Sequence, residues 1–541
     1  MSKKRVLLIN PPWISKDESI WNGVRSAMPP LGLLSIASYL ESFGFHPKFI
    51  DIHVEKISGD EVFDQIKEFN PDIVGLTCMT ATANAAHAIA DLSKKAAPNC
   101  MVVFGGVHAE ALPDETLSHL KVDIVVRGDG EETFLEICQG ETPIKKMAGI
   151  SHRTGNQIIH NPARAVETNL SKFPMPAYHL APMDKYYPAI GAYKRLPAIN
   201  MLMTRGCPGK CTFCNSANTV LRTREASQVV EEIKFLRDNY GIREIQFYDD
   251  TFTVMKKNVM EFCKLMEKAK LNISWAAFVR ADCFSEKMAR AMKKAGCHQI
   301  LIGVESGDEN VLKLLGKPID RERTKKAINI ARKAGLTTRA AFIFGNRDET
   351  LESMQKTLDF SMELDPDICQ YSVCTPYPGT QLYQWVKENR YLVSEEWSEY
   401  ELSTFLMKLP TLKTEDLHRF YKYAHKAFYS RPIIMWRQLL RSSRPSHIVD
   451  LIHAFFFIIL RIKVGRRSEA RKDWINHKKN NFFDIKLKND TAPMLTYISR
   501  QEGQIPKSGL HTKFTLKQNQ QKNNIAKCTN NSQEKKVLFC P

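Results

Sequence analysis

The segment TRGCPGKCTFCNS, residues 204–216, places Cys207, Cys211 and Cys214 close together in a C-x-x-x-C-x-x-C arrangement. Thiolates bind iron–sulfur clusters or zinc. A closed structural zinc site would need a fourth ligand at short spacing, but the nearest cysteine or histidine on either side is Cys263 or His179. Three thiolates on a four-iron cluster leave one iron with an open position. The spacing therefore favours a cluster that can bind a further molecule through amino and carboxylate groups.

The composition is that of an ordinary folded protein with several domains. The chain has 541 residues, of which 43% are hydrophobic and 25% are charged. Its first residues, MSKKRVLLINPPW, contain no apolar stretch of signal-peptide length, which predicts a cytoplasmic location. In a reducing compartment, the 13 cysteines would serve as thiols, metal ligands or redox groups.

Positive charge is concentrated near the C-terminus. The net charge is +18, and residues 431–479 contain 12 Lys or Arg against 3 Asp or Glu. Within this region, residues 446–463 (SHIVDLIHAFFFIILRIK) are too short in their apolar core to span a bilayer. We expect peripheral contact with the inner face of the membrane through residues 430–480, with a core or dimer helix as the alternative. The polar tail, residues 485–541, is expected to be disordered.

Short apolar runs alternate with helical patterns in the first part of the chain. Near-continuous apolar strands separated by helices predict a parallel, doubly wound α/β sheet. Ligands of such sheets bind beyond the carboxyl ends of the strands. The five strand candidates are VLLIN (6–10), KFIDI (48–52), DIVGLT (72–77), MVVFGG (101–106) and VDIVV (122–126).

A second alternating series follows an irregular, proline-rich connector that contains a hairpin pattern, GISHRTGNQIIHNP. Six strand–helix units, with chemistry at the strand ends, predict a partial barrel that is smaller than the eightfold one. The expected divisions are a first domain at 1–145, a linker at 146–192, a barrel at 193–390, a helical basic region at 391–484 and the tail at 485–541.

The cysteine run resembles the cluster loop of the radical S-adenosylmethionine (SAM) superfamily. That family's C-x-x-x-C-x-φ-C pattern, in which φ is aromatic, is matched by Cys207, Cys211, Phe213 and Cys214. The resemblance implies a [4Fe-4S] cluster whose open iron binds SAM. One electron from the cluster would cleave SAM into methionine and a 5′-deoxyadenosyl radical, which abstracts hydrogen from a substrate.

Further segments resemble the parts of this family that bind SAM. Asp249 or Asp250, in FYDDTF, would lie near the methionine amino group, although the pair could instead cap the next helix. Arg280 would pair with the cofactor carboxylate, with a surface salt bridge as the alternative. Glu305 would bind ribose hydroxyls and Ile343 would pack on adenine. The aromatic Phe213 of the cysteine loop would belong to the same SAM-binding set. In the family's G-x-I-x-G-x-x-E pattern this chain departs twice, with Ala341 at the first position and Asp348 at the last.

The first domain resembles the Rossmann-like cobalamin-binding domain that precedes the barrel in one branch of the family. Motifs such as INPPW, DIVGLTCMT, FGGVHAEALPDE and DIVVRGDGEETF carry this resemblance. It implies that the corrin is surrounded by Trp13, Thr77, Met79, Thr80, Gly105, Gly106 and Gly128. His108 would either reach the corrin or lie on the surface. The D-x-H-x-x-G motif of mutases is absent, so we expect no histidine below the cobalt, and His53 is not assigned to that position.

The resemblance implies two reactions. One is methylation of a carbon or phosphorus centre of an unactivated substrate, for which a lipid-like molecule would suit the apolar, basic C-terminal region. The other is oxidative cyclisation, as in the anaerobic magnesium-protoporphyrin monomethyl ester cyclase. Either would need a low-potential electron donor such as ferredoxin or flavodoxin. The third possibility is a tRNA-modifying or nucleic-acid-binding iron–sulfur protein. Against it, the excess positive charge lies outside the two domains that carry the motifs.

Overall fold

The fold is described from a computed structural model, which covers residues 3–13, 26–189, 191–317 and 319–441. A seven-stranded sheet has the strand order β2-β1-β3-β4-β5-β6-β7, in which the first five strands are parallel. This is the predicted doubly wound α/β sheet. Its strands are β1 (Val6–Asn10), β2 (Lys48–Asp51), β3 (Ile73–Thr77), β4 (Met101–Gly105), β5 (Ile124–Val126), β6 (Ile150–Thr154) and β7 (Gln157–His160).

Helices cover both faces of this sheet, which explains why its strands are apolar throughout. Successive side chains of a strand point to opposite faces. In β1, Val6 and Leu8 pack with α1 and α7, while Leu7 and Ile9 pack with α3 and α4. The helices are α1 (Leu31–Ser42), α2 (Ile52–Glu55), α3 (Gly59–Phe69), α4 (Ala83–Ala96), α5 (Val107–Ala111), α6 (Pro113–Ser118) and α7 (Gly130–Gln139).

The hairpin that the sequence analysis assigned to the connector is part of the first sheet. Strand β6 pairs antiparallel with β5, and β7 pairs with β6. The β6 residues at the start of the strand are buried because they cover the edge of β5. An added antiparallel edge strand is common on a largely parallel sheet. The prediction of a hairpin was therefore correct, but the pairing of this hairpin with β5 was not evident from the local sequence.

The second sheet is a half-barrel of six parallel strands in the order β8-β11-β12-β13-β14-β15. This is the predicted partial barrel. A two-stranded ribbon, β9 (Thr204–Arg205) with β10 (Arg222–Thr223), brackets the cysteine loop. The barrel strands are β8 (Ala198–Met201), β11 (Glu244–Phe247), β12 (Ser274–Val279), β13 (Cys297–Glu305), β14 (Thr337–Phe344) and β15 (Ile368–Val373).

An aromatic core lies between the half-barrel and its outer helices. Phe247, Phe252, Phe262 and Trp275 are each fully buried and pack edge-on or tilted against one another. Such contacts stabilise a core beyond the burial of area alone. The helices of this part are α8 (Ala226–Tyr240), α9 (Lys256–Ala269), α10 (Glu286–Lys294), α11 (Glu309–Leu314), α12 (Arg321–Lys333), α13 (Leu351–Leu364) and α14 (Gln381–Glu388).

Glu244 fixes the connector to the amino ends of the barrel strands. Its buried carboxylate accepts hydrogen bonds from the backbone N–H groups of Lys194 and Arg195 and from the Ser274 hydroxyl at 2.7 Å. His298 lies 3.0 Å from the same carboxylate. Hydrogen bonds to an ionised acceptor are the stronger kind. The connector therefore crosses the amino ends of the strands and leaves their carboxyl ends free for ligands.

The segment after α14 returns to the first sheet. Trp397 packs beside His108, and its indole N–H donates to Glu115 at 2.6 Å. Helices α15 (Thr414–Tyr429) and α16 (Pro432–Arg441) follow, and α15 packs against the barrel. The predicted membrane-contact region from residue 442 onward and the tail lie outside the described residues. Within the described part of the chain, no helix has the length and apolarity needed to span a bilayer.

Candidate active site

The cysteine loop leaves the carboxyl end of the first barrel strand and is held at both ends. The Cys207 N–H donates to the Thr219 hydroxyl at 2.8 Å, and the Thr219 N–H donates to the Cys207 carbonyl at 2.9 Å. Gly206 has φ +89°, and a Cβ there would overlap the backbone of Val220. Only glycine fits that position without strain. The two ends of the loop are therefore held together by the protein itself.

The three thiols of this loop are partly exposed, unlike most of the other described cysteines. Burial raises the pKa of Cys214 to about 11 and also raises the pKa of Cys211, which Lys317 partly opposes. Among the described residues, no three His, Cys, Asp or Glu side chains converge on a point where one metal ion could sit. A [4Fe-4S] cluster needs no such convergence, because each thiolate binds a separate iron. The donor set fits that cluster.

Asp249 and Asp250 have different surroundings although they are adjacent. Asp249 is fully buried and accepts hydrogen bonds from the N–H groups of Met203, at 3.0 Å, and Thr204, and from the Thr204 hydroxyl at 2.7 Å. It therefore anchors the strand end that leads into the cysteine loop. Asp250 is exposed, contacts the Ser216 hydroxyl and lies near Cys214. Of the two carboxylates, only Asp250 is accessible to a ligand at the loop.

Arg280 lies beside the cysteine loop. Its guanidinium donates two hydrogen bonds to Asp282, at 3.1 and 2.8 Å. A Cβ added to Gly209 would lie 3.1 Å from both the Arg280 guanidinium and the Cys207 sulfur. Asp282 is the main cause of the raised pKa of Arg280. The arginine is thus both salt-bridged, as in the alternative given above, and positioned at the loop.

Glu305 ends β13 in a strained conformation that the sequence did not predict. Its φ of +66° lies in the left-handed region, which is unusual for a residue other than glycine. Lys317 donates to the Glu305 carboxylate at 2.6 Å and to the Gly303 carbonyl at 2.7 Å. A Cβ at Gly303 would overlap the Glu305 carboxylate. Lys317 is a site residue that the sequence analysis missed, because it lies in a loop after α11 without any motif.

Ile343 and Phe213 pack on one apolar cluster. Its buried members include Cys374 and Leu382, which are contributed by the end of β15 and by α14. The Leu382 N–H donates to the Thr212 carbonyl at 2.9 Å, so the cysteine loop is attached to α14. Phe213 thereby helps to hold the loop against the barrel, close to Ile343. Cofactor contacts of Ile343 remain a prediction at this point.

Glu349, which the sequence analysis passed over, supplies the carboxylate of the loop after β14. It is fully buried and accepts hydrogen bonds from the N–H groups of Gly345, at 2.6 Å, and Asn346, at 2.9 Å. Asp348, which occupies the last position of the family pattern in place of its Glu, is exposed and left-handed, with φ +56°. The left-handed residue turns the chain, so that the next side chain points inward. The family pattern placed on the sequence therefore pointed to Asp348, whereas the buried carboxylate belongs to the next residue, Glu349.

A cavity of about 270 Å³ opens at the carboxyl ends of the first sheet. It lies between the strands and helices α1 and α7, and its lining includes four residues of the predicted cobalamin set: Thr77, Gly105, Gly106 and Gly128. A Cβ at Gly105 or Gly128 would meet no atom within 4 Å. The glycines thus keep this space open, as a large planar ligand would require.

The other predicted cobalamin residues lie around this region without lining the cavity. Met79 is half exposed, whereas Thr80 is buried with its hydroxyl 3.4 Å from the His108 ring. His108 is buried as well, so the surface position considered for it is wrong. The backbone N–H of Trp13 donates to Nδ1 of His53 at 3.2 Å, so that ring nitrogen already has a partner.

Arg205 joins the cavity to the cysteine loop. It precedes the loop by one residue, lines the cavity, and donates to Glu131 at 2.6 Å. Asp129 lies 3.6 Å from the same guanidinium and also pairs with Arg222. Burial works against the charge, but Glu131 and Asp129 outweigh it and raise the pKa of Arg205. Glu131 is only 2% exposed, so its buried charge depends on Arg205 as a partner.

Two protein families match this chain. Residues 21–138 match the B12 binding domain, and residues 201–361 match the radical SAM superfamily. The first range contains the cavity glycines, and the second begins with the strand that leads into the cysteine loop. The two matches therefore fall on the two sheets described above.

Similar proteins cover nearly the whole described chain. An uncharacterized methyltransferase of Pyrococcus horikoshii is 34% identical over 446 residues, which are 81% of this chain and 95% of that protein. The anaerobic magnesium-protoporphyrin IX monomethyl ester cyclase of Rubrivivax gelatinosus is 26% identical over 83% of this chain and 82% of its own length. A solved structure of the radical SAM methyltransferase TsrM from Kitasatospora setae has the same fold, with a TM-score of 0.64 at 17% identity, covering 81% of this chain and 90% of that one.

Substitution of Glu349 by glutamine should change how stability depends on pH. Burial raises the pKa of Glu349 from 4.5 to about 7, so its contribution to stability is complete below the lower value and lost as the pH rises through the higher one. Between pH 5 and pH 8, the free energy of unfolding of the wild type should fall relative to Glu349→Gln, by on the order of 3 kcal/mol at most. Urea unfolding at the two pH values measures this difference.

The matched control is Glu352→Gln, at an exposed position in the first turn of α13. It should follow the wild type at both pH values. Parallel pH dependence in wild type and Glu349→Gln would show that the buried carboxylate is not the titrating group.

Proposed function

Because the chain belongs to the cobalamin-dependent radical SAM enzymes, we propose that it is a methyltransferase acting on an unactivated carbon or phosphorus centre of a small molecule. As a member, it works with cobalamin, SAM and a [4Fe-4S] cluster. The observation that carries the proposal is the Arg205–Glu131 contact, since it brings the loop of three thiols next to the glycine-lined cavity.

Cys207, Cys211 and Cys214 would hold three irons of the cluster. When bound, the cluster supplies the electron that cleaves SAM, and cobalamin supplies a carrier for the methyl group. The protein contributes a loop whose two ends are held together, anchored by Asp249 at its start. Because burial raises the pKa of Cys211 and of Cys214, cluster binding must release the protons of these two thiols.

Four groups around the loop would bind SAM. Asp250 is the accessible carboxylate for the amino group, and Arg280 is the cation for the carboxylate. Glu305, oriented by Lys317, would accept hydrogen bonds from the ribose hydroxyls. Its strained backbone supports a functional role, since strain of this kind persists where surrounding structure imposes it. Ile343 offers an apolar side chain for adenine.

The cavity of the first sheet would receive cobalamin. Thr77, Gly105, Gly106 and Gly128 line it, while Trp13, Met79 and Thr80 belong to the surrounding loops. His53 is not proposed as a cobalt ligand, because its Nδ1 already accepts the Trp13 N–H. The assignment therefore keeps cobalamin without a histidine ligand from this domain.

Methylation is preferred to cyclisation because the relative with 34% identity is named a methyltransferase, whereas the cyclase of Rubrivivax gelatinosus is 26% identical. A low-potential reductant such as ferredoxin or flavodoxin would deliver the electron. The lipid-like substrate and the membrane contact expected from the basic region depend on residues outside the described part of the chain. Their support is the sequence alone.

The direct test is anaerobic reconstitution with iron, sulfide, cobalamin, SAM and dithionite, followed by mass spectrometry of the products. Wild type should form 5′-deoxyadenosine and S-adenosylhomocysteine, and Cys211→Ala should form neither, because the cluster loses a ligand. Cys263→Ala, which removes a thiol from helix α9 far from the loop in sequence, is the control and should retain both products. Unchanged products in Cys211→Ala would contradict the cluster assignment, and 5′-deoxyadenosine without S-adenosylhomocysteine would favour cyclisation.

Enlarging the side chain at Gly105 should weaken cobalamin binding in a graded way. The position has room for a Cβ without collision, so the variants should fold while filling the cavity. The dissociation constant, from absorbance titration with hydroxocobalamin, should rise from wild type through Gly105→Ala to Gly105→Val and Gly105→Leu. The series contains its own control, since alanine adds only one carbon. Equal affinity for the leucine variant and wild type would place cobalamin elsewhere.

A further inference from the structure

The interior of the half-barrel contains a second cavity, of about 330 Å³. It is separate from the cavity of the first sheet and is lined by residues of the five strands β11 to β15 and of the connector. Its volume is at the lower end of the range for small-molecule sites. Most of its lining is apolar or amide-bearing, and it contains one cationic side chain, Arg339.

Arg339 points into this cavity because of its position in β14. Alternate residues of that strand are buried against the outer helices, as Ala340 and Phe342 are. Arg339, Ala341 and Ile343 lie on the opposite face, toward the interior. Ile343 is the residue proposed above to contact adenine, and it stands four positions after Arg339. At ~3.3 Å per residue, the two Cα atoms are roughly 13 Å apart along the strand.

The Arg339 guanidinium lacks a counter-ion within the described part of the chain. One of its nitrogens donates to the Gln370 side-chain oxygen at 2.6 Å, but Nε is buried without a hydrogen-bond partner. None of the ion pairs between described residues includes Arg339. Arginine stays charged in proteins, and buried charges are normally paired. An enclosed guanidinium with a neutral partner and an orphan N–H is therefore an incomplete arrangement.

The surroundings confirm how unfavourable this isolated charge is. Enclosure by the barrel lowers the pKa of Arg339, and only the phenol groups of Tyr429 and Tyr248 act in the opposite direction. Breaking or omitting one partner of a buried ion pair is costly because the remaining charge is uncompensated. An anion in the cavity would supply the missing counter-charge.

The other polar groups of the cavity are already arranged. The side-chain amides of Gln246 and Gln299 donate to the backbone carbonyls of Ala192 and Gly191, at 2.9 and 3.1 Å, and so hold the connector at the cavity. The Gln370 amide nitrogen donates to no described residue and lines the same space as Arg339. Two donors, one cationic and one neutral, thus remain available to one ligand.

The remaining wall is apolar and partly aromatic. Tyr248 and Phe278 stack with ring centroids 5.6 Å apart, and Leu301 and Ala341 also line the cavity. The combination suits a ligand with an anionic group at one end and an apolar body. Binding energy gained at a distance from the reacting atoms can position them for reaction.

We propose that the barrel interior binds the substrate of this enzyme through its carboxylate, phosphate or phosphonate group, with Arg339 and Gln370 as the donors. The proposal rests on the proposed methyltransferase function and adds a substrate class to it: small organic acids with an apolar body. The substrate would extend from Arg339 toward Ile343, where SAM and cobalamin act. Arg339 is thus a specificity-determining residue.

Binding of three probes to the cluster- and cobalamin-loaded protein tests this proposal. The probes are 4-phenylbutyrate, 3-phenylpropylphosphonate and the neutral 4-phenylbutanamide, measured by calorimetry under anaerobic conditions. At least one anion should bind wild type tenfold or more tightly than the amide, and the stronger anion identifies the class. In Arg339→Gln that preference should disappear, because the affinity for the anion falls while that for the amide stays. Arg339→Lys, which keeps the charge but not the paired geometry, should retain part of it.

Arg290→Gln is the matched control, since Arg290 is an exposed arginine of α10 that pairs only with Glu286 among the described residues. It should discriminate between anion and amide as wild type does. Equal binding of anion and amide by wild type, no binding of either anion, or an unchanged preference in Arg339→Gln would overturn the proposal. Products of SAM cleavage by wild type separate the two claims: their absence counts against the enzyme function, whereas cleavage without anion preference counts against the interior site alone.

Discussion

The ion pair between Arg205 and Glu131 links the start of the cysteine loop to the cavity of the first sheet. Arg205 immediately precedes the cysteine loop, and Glu131 begins the helix that covers the cavity of the first sheet. The Glu131 side chain is almost fully removed from water, so its charge depends on Arg205, whereas Arg205 also has Asp129 nearby. The pair therefore couples the position of the thiols to that of the cavity. Small displacements of reacting groups are costly in catalysis, so such a contact matters where two cofactors act in one protein.

The same site uses carboxylates in two ways, and burial decides between them. Asp249 and Glu349 are fully enclosed and accept N–H groups of the loops that follow β8 and β14. They stabilise the shape of the site and cannot contact a ligand. Asp250 is exposed at the cysteine loop, whereas Glu305 is only 8% exposed and pairs with Lys317 at the end of β13. The carboxyl ends of parallel strands thus carry both the supports and the groups available for binding.

Periodicity and spacing were enough to predict both sheets and the cysteine loop. Apolar strands buried on both faces differ clearly from amphipathic helices, and three cysteines at this spacing are typical of a loop that binds an iron–sulfur cluster. Contacts between distant segments were not predictable. The edge pairing of the hairpin, the joint at Arg205 and the Lys317–Glu305 pair each depend on side chains that meet only after folding. Glu349 was missed because a left-handed residue, Asp348, shifts the side-chain direction by one position. Arg339 lies in no recognisable motif. Its proposed role follows from its position in an enclosed space without a counter-ion among the described residues.

The central claim is that Arg205 and Glu131 act together to hold the cavity against the cysteine loop. The most direct measurement is a double-mutant cycle with Arg205→Met, Glu131→Gln and the double variant, using the dissociation constant for cobalamin in cluster-loaded protein. The cycle removes the direct effect of each side chain on the cavity and leaves their interaction. The account predicts a coupling of about 1.4 kcal/mol or more, a factor of about ten in affinity. Independent, additive effects of the two substitutions would contradict it.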